Sequence, residues 1–119
     1  MDLGGMTEAA IMRQIQLHAT KLGMRLFRNN VGVAMTSSGS MVKFGLCAGS
    51  SDLIGMIPVE ITQEMVGQKI AVFCAVEVKT KKGKLTKQQV LFLEMVNSMG
   101  GIGVVVKSPE DLQKALCKK

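Results

Sequence analysis

The chain has 119 residues, 47% of them hydrophobic, which is the size and apolar content of one ordinary domain and not of a disordered segment. No apolar stretch reaches the length of a membrane span and the N-terminus lacks a basic-then-apolar leader pattern, so a soluble, intracellular protein is expected. Fifteen Lys and Arg against nine Asp and Glu give a formal charge of +6, which suits an anionic partner, nucleic acid first.

The first element is a helix. Thr7 is placed to cap it, the chain stays helical to about residue 22, and Gly23 stops it. Its apolar stripe is Ile11, Met12, Ile15, Ala19 and Leu22. Glu8 falls on the same stripe, which leaves two readings. Either the carboxylate lies on the stripe and is at the end of the core or coordinating something, or it sits in a frayed first turn where acid favours the helix dipole. His18, the only histidine, lies at the stripe's edge and reads as structural.

Residues 24–28 predict a short strand followed by Asn29-Asn30 and Gly32. Residues 33–36 and 41–44 flank Ser37-Ser38-Gly39-Ser40, a hairpin signature. A small, flexible stretch, Gly45-Leu46-Cys47-Ala48-Gly49-Ser50-Ser51, then ends in Asp52, and an apolar strand over 53–57 runs to Pro58. Residues 59–69 read as a polar connection with a helical turn.

Residues 70–80 predict a strand whose apolar part, 70–76, is buried on both faces. At its C-terminal end stand Glu77 and Lys79. Alternation puts both on one face with Ala71, Phe73 and Ala75. Their Cα atoms are expected roughly 7 Å apart, two strand rises. The pair is either a salt bridge at a strand end or two groups addressing one small object such as a metal ion and its water.

The basic loop Lys81-Lys82-Gly83-Lys84 leads to a strongly signalled helix. Thr86 with Gln89 is a capping box, Leu85 and Val90 fit a hydrophobic staple, and Phe92, Leu93, Val96 and Met99 form its buried face. Gly100-Gly101 ends it. A last strand over 102–107 and a short helix opened by Ser108-Pro109 complete the chain. The strand–helix–strand passage implies a parallel, right-handed crossover. The expected fold is α/β, a small mixed central sheet flanked by helices, in a single domain over 1–119.

Aromatics are scarce, with four Phe and no Tyr or Trp, so ten Met and the aliphatics are expected to fill the interior. The same scarcity disfavours base stacking and favours contacts to phosphates. Cys47, Cys74 and Cys117 form no CxxC pair, so a zinc site of the usual type is not expected. They read as free thiols of a reducing compartment, with Cys74 buried in its strand.

Asp52, Glu77 and Glu8 are hard oxygen donors of the kind magnesium or manganese prefers. No Ser/His or Cys/His pair is visible for acyl transfer. Gly49-Ser50-Ser51-Asp52, then Glu77-Val78-Lys79-Thr80, then Gly83-Lys84-Leu85-Thr86-Lys87-Gln88-Gln89 resembles the VRR-NUC family, the virus-type replication-repair nucleases of the PD-(D/E)XK superfamily. Where the family often has Pro after the Thr or Ser, this chain has Lys87.

The resemblance implies a restriction-endonuclease-like fold and a site. Asp52, Glu77 and the Val78 backbone carbonyl would hold Mg2+ or Mn2+, with Glu8 reaching it through water. Lys79 would be the catalytic lysine, and Gln89 matches the family's glutamine, the alternative being that it serves only as the capping-box partner of Thr86. It further implies cleavage of branched DNA such as Holliday junctions, with DNA repair as the setting. A homodimer is implied as well, and a small viral type acting in host cytoplasm.

Lys81, Lys82, Lys84 and Lys87 form a candidate phosphate-gripping run at the end of the proposed active-site strand. Arg13, Lys21, Arg25, Arg28 and Lys43 are further basic candidates without a placement. Two rivals keep the same fold: a catalytically silent DNA-binding module, and a basic regulatory or assembly protein serving an acidic partner.

Overall fold

The computed structural model describes residues 7–116. The chain divides into two compact units, Met1–Ile57 and Pro58–Lys119.

In the first unit, α1 spans Glu8–Lys21, and the Thr7 side chain caps it by accepting from the Ala10 N–H. Gly23, at φ 82°, supplies the left-handed residue that ends it. Ala19 is the buried residue of this helix, while Ile15 and Leu22 of the predicted stripe are exposed. Glu8 is exposed in the first turn. The helix is tied to β1 (Arg25–Arg28) by the Gln16 side-chain amide, which donates to the Leu26 carbonyl at 3.0 Å.

Strand β1 pairs antiparallel with β4 (Leu53–Met56), and Arg28 stands opposite Leu53. The predicted hairpin is present: β2 (Gly32–Met35) pairs antiparallel with β3 (Met41–Phe44), and Met35 faces Met41 across the turn.

In the second unit, a short 3-10 turn over Gln63–Met65 stands where the polar connection predicts a helical turn. The Glu64 carboxyl there is held below its usual range by its own backbone N–H and then by the Thr62 side chain. Strand β5 (Cys74–Val78) pairs in parallel with β6 (Ile102–Val106), and α2 (Lys87–Ser98) connects them as a crossover. Gly100, at φ 93°, follows α2. Helix α3 (Pro109–Leu116) closes the described chain with Pro at its first position, and Ser108 Oγ accepts from the Asp111 N–H at 3.2 Å. The core of this unit is Leu93, Val96 and Val106, with Val96 fully buried. No described methionine is among the buried residues.

Two expectations are corrected. Strands among the described residues pair as three two-stranded sheets, β1–β4, β2–β3 and β5–β6, rather than as one mixed sheet. The apolar run before Glu77 is not a strand buried on both faces. The strand begins only at Cys74, and its exposure alternates, with Val76 and Val78 exposed and Ala75 and Glu77 half-buried. The reason is coverage. Helix α2 packs against β5 and β6, and one helix shields one face of a two-stranded ladder. Cys74 is consequently an exposed free thiol, as is Cys47, while Cys117 lies outside the described residues. No described helix is long and apolar enough to cross a membrane.

Candidate nuclease site

The second unit gathers three of the sequence-predicted residues at one end of β5. Strand alternation turns Glu77 and Lys79 to the same face, and Lys79 Nζ lies 3.8 Å from Glu77 Oε2. Both side chains are partly sheltered, 20% exposed for Lys79 and 31% for Glu77. The backbone beneath them is clamped to the core, because the Lys79 N–H donates to the carbonyl of buried Val106 at 3.0 Å. Val78 stands opposite Val106 in the ladder, and its side chain is exposed.

Gln89 joins this pair from α2. Its Nε2 donates to Glu77 Oε2 at 3.1 Å. Its Oε1 accepts from the Thr86 backbone N–H at 3.0 Å, and its own backbone N–H donates to Thr86 Oγ1 at 3.1 Å. The capping box is therefore complete, and the same glutamine side chain also contacts the carboxylate. The amide has an acceptor end for the cap and a donor end for Glu77, so capping does not use up the Gln89 side chain. Glu77, Thr86, Gln89, Phe92 and Leu93 line an open cavity of about 540 Å3 on this side of β5.

Beyond the strand, the chain turns through Thr80–Gly83, where the Gly83 N–H donates to the Thr80 carbonyl at 3.0 Å. A side chain at 83 would press on the turn, since a Cβ there would lie 3.3 Å from Thr80 N and 3.4 Å from Lys79 Cβ. Lys81, Lys82, Lys84 and Lys87 are all exposed along this segment and the start of α2. Lys107 adds to them: its Nζ donates to the Lys81 carbonyl at 3.2 Å, which brings a fifth positive charge to the loop. Sequence reading did not single out Lys107, because 26 residues separate it from Lys81.

Asp52 and Glu8 belong to the first unit. Asp52 immediately precedes β4, and its carbonyl accepts from the Asn29 N–H at 2.8 Å. Its carboxylate is carried on an exposed segment built around Asn29. Asn29 Nδ2 donates to Ser50 Oγ at 2.7 Å and to the Ser51 carbonyl at 2.9 Å, and Asn29 Oδ1 accepts from the Leu46 N–H at 2.9 Å. Ser50 Oγ in turn donates to the Cys47 carbonyl at 2.7 Å. Asn29 thus uses both ends of its amide to shape the Gly-Ser loop. Sequence reading placed Asn29 just after the first strand and missed this work, whose partners lie 17 to 22 residues downstream.

Among the described residues, no group of three or more His, Cys, Asp or Glu side chains is gathered to hold a metal ion. The donors implied by sequence, two carboxylates and a backbone carbonyl, are hard oxygens of the kind magnesium and manganese take, so their chemistry fits such an ion.

The family model of the VRR-NUC domain matches residues 8–110, which carry every one of these side chains. No curated protein and no solved structure matches the chain. The chain belongs to the VRR-NUC domain family.

Proposed function

We propose that this VRR-NUC protein is a magnesium- or manganese-dependent endonuclease that hydrolyses phosphodiester bonds in branched DNA, four-way junctions foremost. The observation that carries the reading is the Glu77–Lys79–Gln89 cluster, held between a strand clamped to the core and a capped helix. The parallel β5–α2–β6 passage supports a PD-(D/E)XK fold beneath it. The family match runs across the boundary between the two units, which supports reading them as one nuclease domain.

Asp52, Glu77 and the Val78 carbonyl would hold the ion, with Glu8 acting through water. When bound, a divalent cation lowers the pKa of an attacking water and offsets charge on the scissile phosphate. The chain's own groups do the rest. Glu77 offers a carboxylate whose Oε2 is already engaged by Gln89 and approached by Lys79. The Lys79 ammonium, tethered to a fixed strand backbone, orients the water and stabilises negative charge developing on phosphate oxygens. Lys81, Lys82, Lys84 and Lys87 neutralise flanking phosphates. In-line attack leaves a 5′-phosphate and a 3′-hydroxyl. A four-way junction has near two-fold symmetry, so a homodimer presenting two sites is part of the proposal.

The test is incubation of the full chain with a labelled four-way junction, a flap and plain duplex, with and without Mg2+ or Mn2+. Glu77→Gln and Lys79→Ala are run alongside. Metal-dependent cutting that both substitutions abolish is expected. Cutting that survives chelation, or that both variants perform as well as the wild type, refutes the mechanism.

A further inference from the structure

The Thr86–Gln89 capping box has a consequence for Glu77 that an ordinary helix cap does not. A backbone N–H can only donate, so the Gln89 atom facing Thr86 N must be the oxygen. The amide is planar and has one other end. That end, Nε2, is thereby fixed as a donor, and it meets Glu77 Oε2 at 3.1 Å. Lys79 Nζ approaches the same oxygen at 3.8 Å. Both contacts fall on Oε2, which leaves Oε1 for an incoming cation.

We propose that the capping box is a polarity lock that pre-orients the Glu77 carboxylate, and that Thr86 acts through Gln89 as a positioning residue for the metal-binding step. The idea rests on the nuclease reading for its purpose, but the lock itself is a property of three side chains and two backbone N–H groups. Thr86 reaches Glu77 through Gln89. Its hydroxyl holds the Gln89 backbone N–H, and its own N–H holds the Gln89 side-chain oxygen. Losing the hydroxyl loosens the first helical turn and lets the amide rotate, so Glu77 must be ordered at the moment of binding rather than beforehand. Groups that orient a metal ligand in this way typically change metal affinity or activity by about 10–100-fold when removed.

The experiment reads three quantities on the full chain: the Gln89 side-chain NH2 signals in 15N–1H spectra without metal, Mg2+ affinity by calorimetry, and kcat and KM on cleaved DNA. In the wild type the NH2 protons are expected to exchange slowly, and Glu77→Ala is expected to speed that exchange. Thr86→Val is expected to speed it as well and to weaken Mg2+ binding about tenfold or more, while Thr86→Ser restores both. Gln89→Glu guards against a variant that simply frays. It keeps an oxygen for the Thr86 N–H, and so keeps the cap, but replaces the donor facing Glu77 with a second acceptor.

A helix cap with no further role predicts that Gln89→Glu keeps wild-type kcat. The lock predicts at least a tenfold loss of kcat with α2 amide protection unchanged. Wild-type NH2 exchange and Mg2+ affinity in Thr86→Val, or wild-type kcat in Gln89→Glu, overturns the proposal. Should the wild type bind Mg2+ yet cut no DNA, the nuclease reading fails while the NH2 and Mg2+ readouts still decide the lock.

Discussion

Asn29→Ala is the sharpest test of how the Asp52 segment is held. The side chain makes three hydrogen bonds to the 46–51 loop, from Nδ2 to Ser50 Oγ and the Ser51 carbonyl, and from the Leu46 N–H to Oδ1. A typical intramolecular hydrogen bond contributes about 0.5–1.5 kcal/mol net. Two of these three are solvent-exposed, so the low end applies to them, and the loss should total about 2 kcal/mol.

The perturbation is local to the first unit, so a local probe is needed. Native-state hydrogen exchange at the Leu46 amide reads it directly, because that N–H loses its acceptor. With about 1.4 kcal/mol per tenfold, the exchange rate should rise roughly 30-fold. Asn30→Ala is the matched control. Its side chain accepts one exposed bond from Arg28 Nη2 at 3.2 Å, so Leu46 exchange should change less than about twofold. Equal exchange in the two variants would show that Asn29 does not organise the loop that carries Asp52.

Neutralising Lys81, Lys82 and Lys84 together should lower the slope of log affinity against log salt by roughly 2 to 3 units. An unchanged slope removes the loop from the DNA-binding surface. Val96→Ala should destabilise the second unit by about 2 kcal/mol in denaturant titration, since Val96 is fully buried. Val78→Ala, at a side chain 70% exposed, should cost less than about 0.5 kcal/mol; similar costs would refute the core assignment. Saturating Mg2+, at about 100 times its Kd, should raise stability by roughly 2.7 kcal/mol in the wild type and far less in Glu77→Gln. A full shift in the variant would take Glu77 out of the metal site.

What the sequence discloses here is what is local. Thr7, Thr86 with Gln89, and Ser108-Pro109 act within one helical turn of themselves, and all three helix starts stand where those residues place them. The hairpin over 32–44 is equally local, because turn chemistry sets its register. The burial of the run before Glu77 was not legible. An apolar run reports what a strand is made of, whereas exposure depends on which elements pack over each face, and α2 covers β5 from one side. The Asn29 hub and the Lys107–Lys81 contact escaped for a related reason. A polar side chain names its own capacity to bond, but not partners many residues away along the chain.

The candidate site falls between these cases, which explains why its residues were readable before their arrangement was. Glu77 and Lys79 are two apart on a strand, so their common face follows from alternation alone. Gln89 is three from Thr86, so its cap follows from helical spacing. The bond between Glu77 and Gln89 requires β5 and α2 to pack together, and no local rule supplies it.

Once made, it changes what each part means. The 3.8 Å approach of Lys79 to Glu77 would be worth little as an exposed salt bridge. With a fixed amide donor on the same carboxylate oxygen, and the strand backbone anchored to Val106, the pair becomes a held geometry rather than a fluctuating one. On the proposed lock, stability and activity are coupled at Thr86. Only a substitution such as Gln89→Glu, which keeps the acceptor and deletes the donor, separates the glutamine that caps a helix from the glutamine that orients a carboxylate.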